Sequence, residues 1–135
     1  MIDFTSILKQ YPNGVLSTND REKIKTRIFQ YLFSDGNKVY FCTNTQKPVY
    51  EQLKKNPNVS FCTNLQNYSP VLSLYGKAVF VDNMSLKERA IDENPSIKNI
   101  YGDAQNPIFT IFYIDVKEIK LILPYLLPFQ KTSSS

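Results

Sequence analysis

The chain has 135 residues, a formal net charge of +4 and a sequence pI near 9.0. It contains no histidine, which removes Ser-His-Asp and Cys-His nucleophilic catalysis and most catalytic zinc or iron sites. No apolar run approaches the ~20 residues of a membrane span, and the length suits one domain at 1–123 followed by a tail at 124–135.

Residues 1–10 lack the basic start and cleavage site of a signal peptide, so a cytoplasmic protein is the expectation. They read as an amphipathic helix with Phe4, Ile7 and Leu8 inward. The run at 21–33 alternates as a strand does, with residues two apart sharing a face. Its odd positions are Arg21, Lys23, Lys25, Arg27, Phe29, Tyr31 and Phe33, a face that begins basic and ends aromatic. Its even positions Ile24, Ile28 and Leu32 supply an apolar face, interrupted by Thr26 and Gln30. Asp35-Gly36-Asn37 is a turn signal, which pairs 21–33 with a second strand at 38–43 as a hairpin.

Asn44-Thr45-Gln46-Lys47-Pro48 then reads as the entry to a short helix, with Thr45 as N-cap and Pro48 in the first turn. Val49, Tyr50 and Leu53 give that helix an apolar stripe, and Asn56-Pro57 stops it. A strand end, hydroxyls, a lysine and a helix N-terminus together make an anion site, because free N–H groups and the helix dipole favour negative charge there. Arg27 reaches the same anion if the hairpin brings its strand alongside. Cations joined to aromatic rings suit a flat, phosphorylated ligand, or equally a single nucleic-acid strand.

Further strands are expected at 58–65 and 71–81, the second bending at Gly76. Ser85-Leu86-Lys87-Glu88 is a capping box opening a helix to about residue 92. Asn94-Pro95 ends it, and 96–101 forms a helical turn closed by Gly102. Residues 108–114 are apolar on both faces, so that strand needs a second cover such as another subunit. A last strand is expected at 118–123, followed by an apolar, proline-broken segment at 121–129. Cys42 and Cys62 both sit in the tetrapeptide Phe-Cys-Thr-Asn. Without CxxC spacing or histidine they are poor metal ligands, so reduced, structural thiols are expected. The carboxylates form no recognisable catalytic pair.

At these residues the chain resembles a known family. The run Thr26-Arg27-Ile28-Phe29-Gln30-Tyr31-Leu32, the turn Asp35-Gly36, the strand Val39-Tyr40-Phe41-Cys42-Thr43-Asn44 and the stretch from Lys47-Pro48 to Asn58-Val59 are similar to the pyridoxamine-phosphate-oxidase-like family of FMN-binding split barrels. The resemblance continues through Val71-Leu72-Ser73-Leu74-Tyr75-Gly76 and covers 11–123. It implies a mainly β fold with short helices (α+β), a six-stranded-type antiparallel split barrel that binds FMN at a homodimer interface. It implies that Arg27 contacts the FMN phosphate, with Lys47 as a second cation, and that Thr43 and Asn44 line the ribityl-phosphate side. The backbone from Ile28 through Phe29 and Gln30 to Tyr31 runs along the flavin ring, Gln30 meets its polar edge, and Cys42 and Pro48 complete the cofactor set. Tyr68, Tyr101 and Phe109 are candidates for the second subunit's contribution.

Because the oxidase proper holds its substrate with basic and histidine residues near its C-terminus, the missing histidine points away from pyridoxamine phosphate. The function expected is an FMN-binding oxidoreductase, of flavin reductase or oxidase type, acting on an unidentified small molecule. Flavin meets the demand for a cofactor that carries the chemistry itself. Alternatives are a non-catalytic protein binding flavin or deazaflavin, and a small nucleic-acid-binding barrel. Against the last, charges are well mixed outside 21–27 and there is no Lys/Arg tract.

Overall fold

The alternating run at 21–33 breaks at Tyr31 and Leu32, and that break sets the architecture. A computed structural model describes residues 4–63 and 70–122. In chain order the elements are α1 (Thr5–Gln10), β1 (Asn13–Asp20), β2 (Lys23–Gln30), β3 (Phe33–Asp35), β4 (Lys38–Asn44) and α2 (Pro48–Lys55). There follow β5 (Asn58–Thr63), β6 (Val71–Val81), α3 (Met84–Glu93), α4 (Pro95–Tyr101) and β7 (Phe109–Ile122). The expectations for residues 1–3, the end of the strand at 64–65, Tyr68 and the segment at 123–135 lie outside the described residues.

All strands join one antiparallel sheet in the order β2-β1-β5-β6-β7-β4-β3. Its two edge strands, β2 and β3, are joined only by Tyr31 and Leu32, so the sheet must curl until its edges meet. Consecutive amides show the crossing: Tyr31 N–H donates to the Pro12 carbonyl at 2.7 Å, and Leu32 N–H to the Tyr40 carbonyl at 3.0 Å. The edges do not pair as strands, which leaves the barrel split between β2 and β4.

The expected six strands become seven. The run at 21–33 divides into β2 and β3, the two strands expected from 108 and from 118 onward are one continuous β7 over Phe109–Ile122, and β1 was unforeseen. β2 therefore pairs with β1 through a two-residue turn, Asp20 opposite Lys23, and not with β4. The turn at Gly36, where φ is +59°, joins β3 to β4 instead. The expected apolar face of β2 is also reversed. Arg27 and Phe29 turn inward and half-buried, whereas Ile24 and Ile28 are 73% and 62% exposed.

Two apolar clusters hold the sheet. The inner one packs Leu16, Phe41, Phe61, Leu74, Phe112 and Ile114 inside the curl, closed by Phe4, the N-cap of α1, by Leu8 of α1 and by Val49 and Leu53 of α2. Each such side chain contributes about 1.5–3 kcal/mol by leaving water. The outer cluster packs Phe33, Tyr40, Phe109 and Ile111 beneath Ala90 and Ile91 of α3 and Ile97 and Tyr101 of α4. The second cover of β7 is thus the chain's own helix pair, which removes that strand as an argument for a dimer.

Local signals fared unevenly. Gly76 does mark a register shift in β6, where a Cβ would lie against the Asp115 carbonyl of β7. Pro48 is the first residue of α2, but Lys47, in extended conformation, is the N-cap, and no side chain caps that end. Thr45 is therefore not the cap. On α3 the cap is Asn83, whose side chain accepts from Leu86 N–H at 3.1 Å, and not a box begun by Ser85. α4 ends at Gly102 with φ +85°, as its sequence implies.

Candidate functional site

The split between β2 and β4 is a cleft of about 370 Å³, closed at one end by the start of α2 and along one side by α4. β2 lines it with Arg27, Ile28, Phe29 and Gln30, and β4 with Cys42 and Thr43. Lys47, Pro48 and Val49 form the α2 end, and Ile97, Ile100 and Tyr101 form the α4 wall. Phe29 is fixed edge-on to the Phe41 and Phe112 rings, at centroid distances of 6.1 and 5.8 Å, so this part of β2 is rigidly backed.

The charged lining consists of two cations, Arg27 and Lys47. Thr18 and Gln52 hold Arg27 in place: Nη1 donates to Thr18 Oγ1 at 2.7 Å and Nη2 to Gln52 Oε1 at 2.8 Å. Thr18 in turn donates to the same Gln52 oxygen at 3.0 Å. Burial lowers the Arg27 pKa and Asp20 opposes that shift, but an arginine stays charged regardless. The remaining guanidinium N–H groups are left for a ligand. Lys47 is exposed and forms no ion pair among the described residues. Thr43 is only 3% exposed, and its hydroxyl has no hydrogen-bond partner among the described residues. Such a group costs stability unless something in the cleft satisfies it.

Of the residues expected from sequence, Arg27, Ile28, Phe29, Gln30, Cys42, Thr43, Lys47 and Pro48 meet in this one cleft. Tyr31 and Asn44 do not. Tyr31 turns into the inner cluster and its hydroxyl donates to Ser34 at 3.0 Å, whereas Asn44 caps the following loop by accepting from Gln46 N–H at 2.7 Å. Gln30 is clamped by α4 and its cap: its amide donates to Asn94 Oδ1 and its oxygen accepts from Ser96, both at 3.3 Å. Burial pushes the Cys42 thiol up to about 12, with Lys47 opposing, so it stays protonated and unreactive near neutrality. Tyr101 reaches the cleft from its own chain's α4, and Phe109 is buried in the outer cluster.

Sequence reasoning missed Thr18 and Gln52, which orient Arg27, and the α4 wall. The wall had a readable signal, since Ile97, Ile100 and Tyr101 are spaced i, i+3, i+4 and share a helix face. The Thr18–Arg27 contact had none, because it depends on the unforeseen β1. A larger open cleft, about 950 Å³, lies between the β1–β2 turn and α2. Arg21, Lys23 and Lys55 face Asp20, Glu22 and Glu51 there, so the charges cancel, and it has no aromatic lining. The ligand-binding features gather in the smaller one. Among the described residues no group of His, Cys, Asp or Glu suits a metal ion, and no helix is long and apolar enough to cross a membrane.

Comparison with known proteins places this fold. The chain is similar to a NimC/NimA family protein from Clostridium acetobutylicum, with a TM-score of 0.80 and 22% identity over 99% of this chain and 95% of that one. It is similar to general stress protein 26 from Bacillus anthracis str. Sterne, with a TM-score of 0.78 and 21% identity over 96% and 95%. A third structure, from Clostridium acetobutylicum, is related to Bacillus subtilis general stress protein 26 and assigned to the pyridoxinephosphate oxidase family. It gives a TM-score of 0.77 and 20% identity over 98% and 96%. At these identities the likeness establishes the fold. No curated protein sequence matches the chain. The family profile described as pyridoxamine 5'-phosphate oxidase matches residues 3–123, and by that match the chain belongs to the pyridoxamine 5'-phosphate oxidase family.

Proposed function

We propose that this protein is an FMN-dependent oxidoreductase acting on a small molecule, and that it works as a homodimer. The observation that carries the reading is the buried Thr43 hydroxyl, without a hydrogen-bond partner among the described residues, in a cleft whose charged lining is Arg27 and Lys47. These donors fit FMN. A phosphate monoester carries about −1.5 to −2 charge near neutrality, which two cations balance. Arg27, held by Thr18 and Gln52, presents its free N–H edge as a charge-assisted donor, and Thr43 adds a neutral one. The uncapped N-terminus of α2 adds its dipole at the same end.

The rest of the cleft suits a ring. Phe29 and Val49 are apolar, and the clamped Gln30 offers one fixed amide at the edge of the space. When bound, FMN supplies hydride acceptance and donation. The chain's own residues bind, orient and shield it. With Cys42 held protonated by burial, its thiol is not the nucleophile.

The dimer reading rests on the outer face of β2. Ile24 and Ile28 stand in water there, and Ile28 also lines the cleft, so a second copy laid on this face would border the ligand. Covering each isoleucine would contribute of order 1–2 kcal/mol. The test is to add FMN to the purified protein, desalt it, and record the flavin spectrum and the mass by light scattering. One FMN per chain on a particle of twice 15.6 kDa is the expected result. A colourless protein contradicts the cofactor assignment, and a deazaflavin spectrum replaces it. A 15.6-kDa particle contradicts the dimer.

A further inference from the structure

The acceptors that hold Arg27 are both neutral, and that neutrality has a consequence for the ligand. Resting on the FMN reading above, we infer that Gln52 is a specificity-determining positioning residue, whose uncharged amide fixes Arg27 while leaving its positive charge for the phosphate.

The three side chains form a closed ring of hydrogen bonds. Arg27 Nη1 donates to Thr18 Oγ1 at 2.7 Å, and Arg27 Nη2 donates to Gln52 Oε1 at 2.8 Å. Thr18 Oγ1 closes the ring by donating to that same Gln52 oxygen at 3.0 Å. The single Thr18 hydrogen is spent on Gln52, so the hydroxyl meets Arg27 as an acceptor. Gln52 can serve here only with its oxygen turned inward, because its NH2 group would confront two donors. The ring is built within one chain. Thr18 is 2% exposed, and Arg27 lies on the face of β2 opposite to Ile24 and Ile28. A second copy laid on those isoleucines meets the other face of the strand.

Charge then separates glutamine from its nearest isostere. The ordinary partner of a half-buried guanidinium is a carboxylate. Arg27 takes part in no ion pair among the described residues, and Asp20 acts on it only through its field. The adjacent carboxylate on α2, Glu51, is exposed and stands about 100° round the helix from Gln52. A glutamate at 52 would preserve the shape of the ring and put a negative charge on its shared oxygen. Arg27 would then be neutralised before any ligand arrived, and an entering phosphate would meet a like charge on the same guanidinium. With glutamine there, the unused N–H groups keep their attraction for a dianion.

The experiment compares two variants of similar size, Gln52→Glu and Gln52→Met, in the full chain. FMN is titrated into each and into the parent, and the unliganded chains are melted alongside. Gln52→Glu is expected to raise the FMN Kd about tenfold or more without lowering the melting midpoint, since an ion pair holds the ring as well as the amide does. Gln52→Met breaks the ring but leaves the charge, and is expected to raise the Kd less, by about threefold. A residue that merely held Arg27 in place would give the reverse order, with glutamate tolerated and methionine not. That reverse order, equal losses in the two variants, or parental FMN binding by Gln52→Glu overturns this inference alone. So does a Gln52→Glu chain that melts below the parent. A parent that retains no FMN overturns the cofactor reading, and this one with it.

Discussion

The tetrapeptide Phe-Cys-Thr-Asn occurs twice, at 41–44 and 61–64, and its two copies end in different roles. Phe41 and Phe61 are equivalent: both are fully buried in the inner cluster, and their rings meet at 4.8 Å. The threonines diverge. Thr63, at the end of β5, donates to the carbonyls of Tyr11 and Asn13, tying the start of β1 to its neighbour. Thr43, near the end of β4, is almost as buried but has no such partner among the described residues, because β4 borders the split where the next strand is missing. The cysteines diverge likewise, Cys42 facing the cleft while Cys62 stands beside Val15 and Ser73 in the sheet register. A satisfied hydroxyl serves the fold. An unsatisfied one beside two cations is a ligand donor. Identical local sequence acquires function only from what the topology leaves next to it.

The shared half of the comparison should give the largest effect. Phe41→Ala and Phe61→Ala should each lower stability by about 3–5 kcal/mol in denaturant titration, and by similar amounts, because both open cavities in one cluster. A markedly smaller loss for either would show that the two phenylalanines are not equivalent. The divergent half comes next. Thr63→Val should cost about 1–3 kcal/mol of stability by removing the buried hydroxyl whose one hydrogen is shared between the Tyr11 and Asn13 carbonyls, with FMN affinity unchanged. Thr43→Val should leave stability within about 0.5 kcal/mol and weaken FMN by about 0.5–1.5 kcal/mol, since it removes a donor that only the ligand uses. Exchange of these two phenotypes would break the comparison.

A further effect, confined to alkaline pH, concerns Cys42. Its folded pKa is raised from 9.0 to about 12, so the folded state keeps a proton that the unfolded chain gives up. The contribution is intact below pH 9 and is lost as pH rises from 9 toward 12, by up to about 1.4 kcal/mol per pH unit. Cys42→Ala should flatten this alkaline decline in urea midpoints measured at pH 8, 9 and 10. An unchanged slope would mean that the thiol is not buried against the cleft wall as described.

Much of the site was legible because its residues are close in sequence. Arg27, Thr43, Lys47 and Pro48 lie within the short stretch from β2 to the start of α2, and Pro48 announced the helix start. Alternation on β2 revealed two faces but not which one looks inward. That depends on β1, whose Asn13-Gly14-Val15-Leu16-Ser17-Thr18 has too few apolar residues to read as a strand, though Leu16 and Thr18 are buried. Gly14 is required there, because a Cβ would come within 2.5 Å of the Cys62 carbonyl, a constraint that only the folded pairing reveals. Residues 108–114 signalled burial on both faces correctly but could not name the cover. α3 and α4 provide it from within the chain. Turn and helix-stop signals survived, the two cap assignments missed, and the facing of β2, which depends on its cross-strand partner, was not legible.

The central claim, that Arg27 and Lys47 hold the phosphate of a flavin in the β2–β4 split, is tested most directly by calorimetric titration of FMN into the parent, Arg27→Ala and Lys47→Ala. Each variant should bind FMN more weakly by about 1–3 kcal/mol while remaining folded, the range for charge-assisted hydrogen bonds. Parental FMN affinity in both variants would contradict the account.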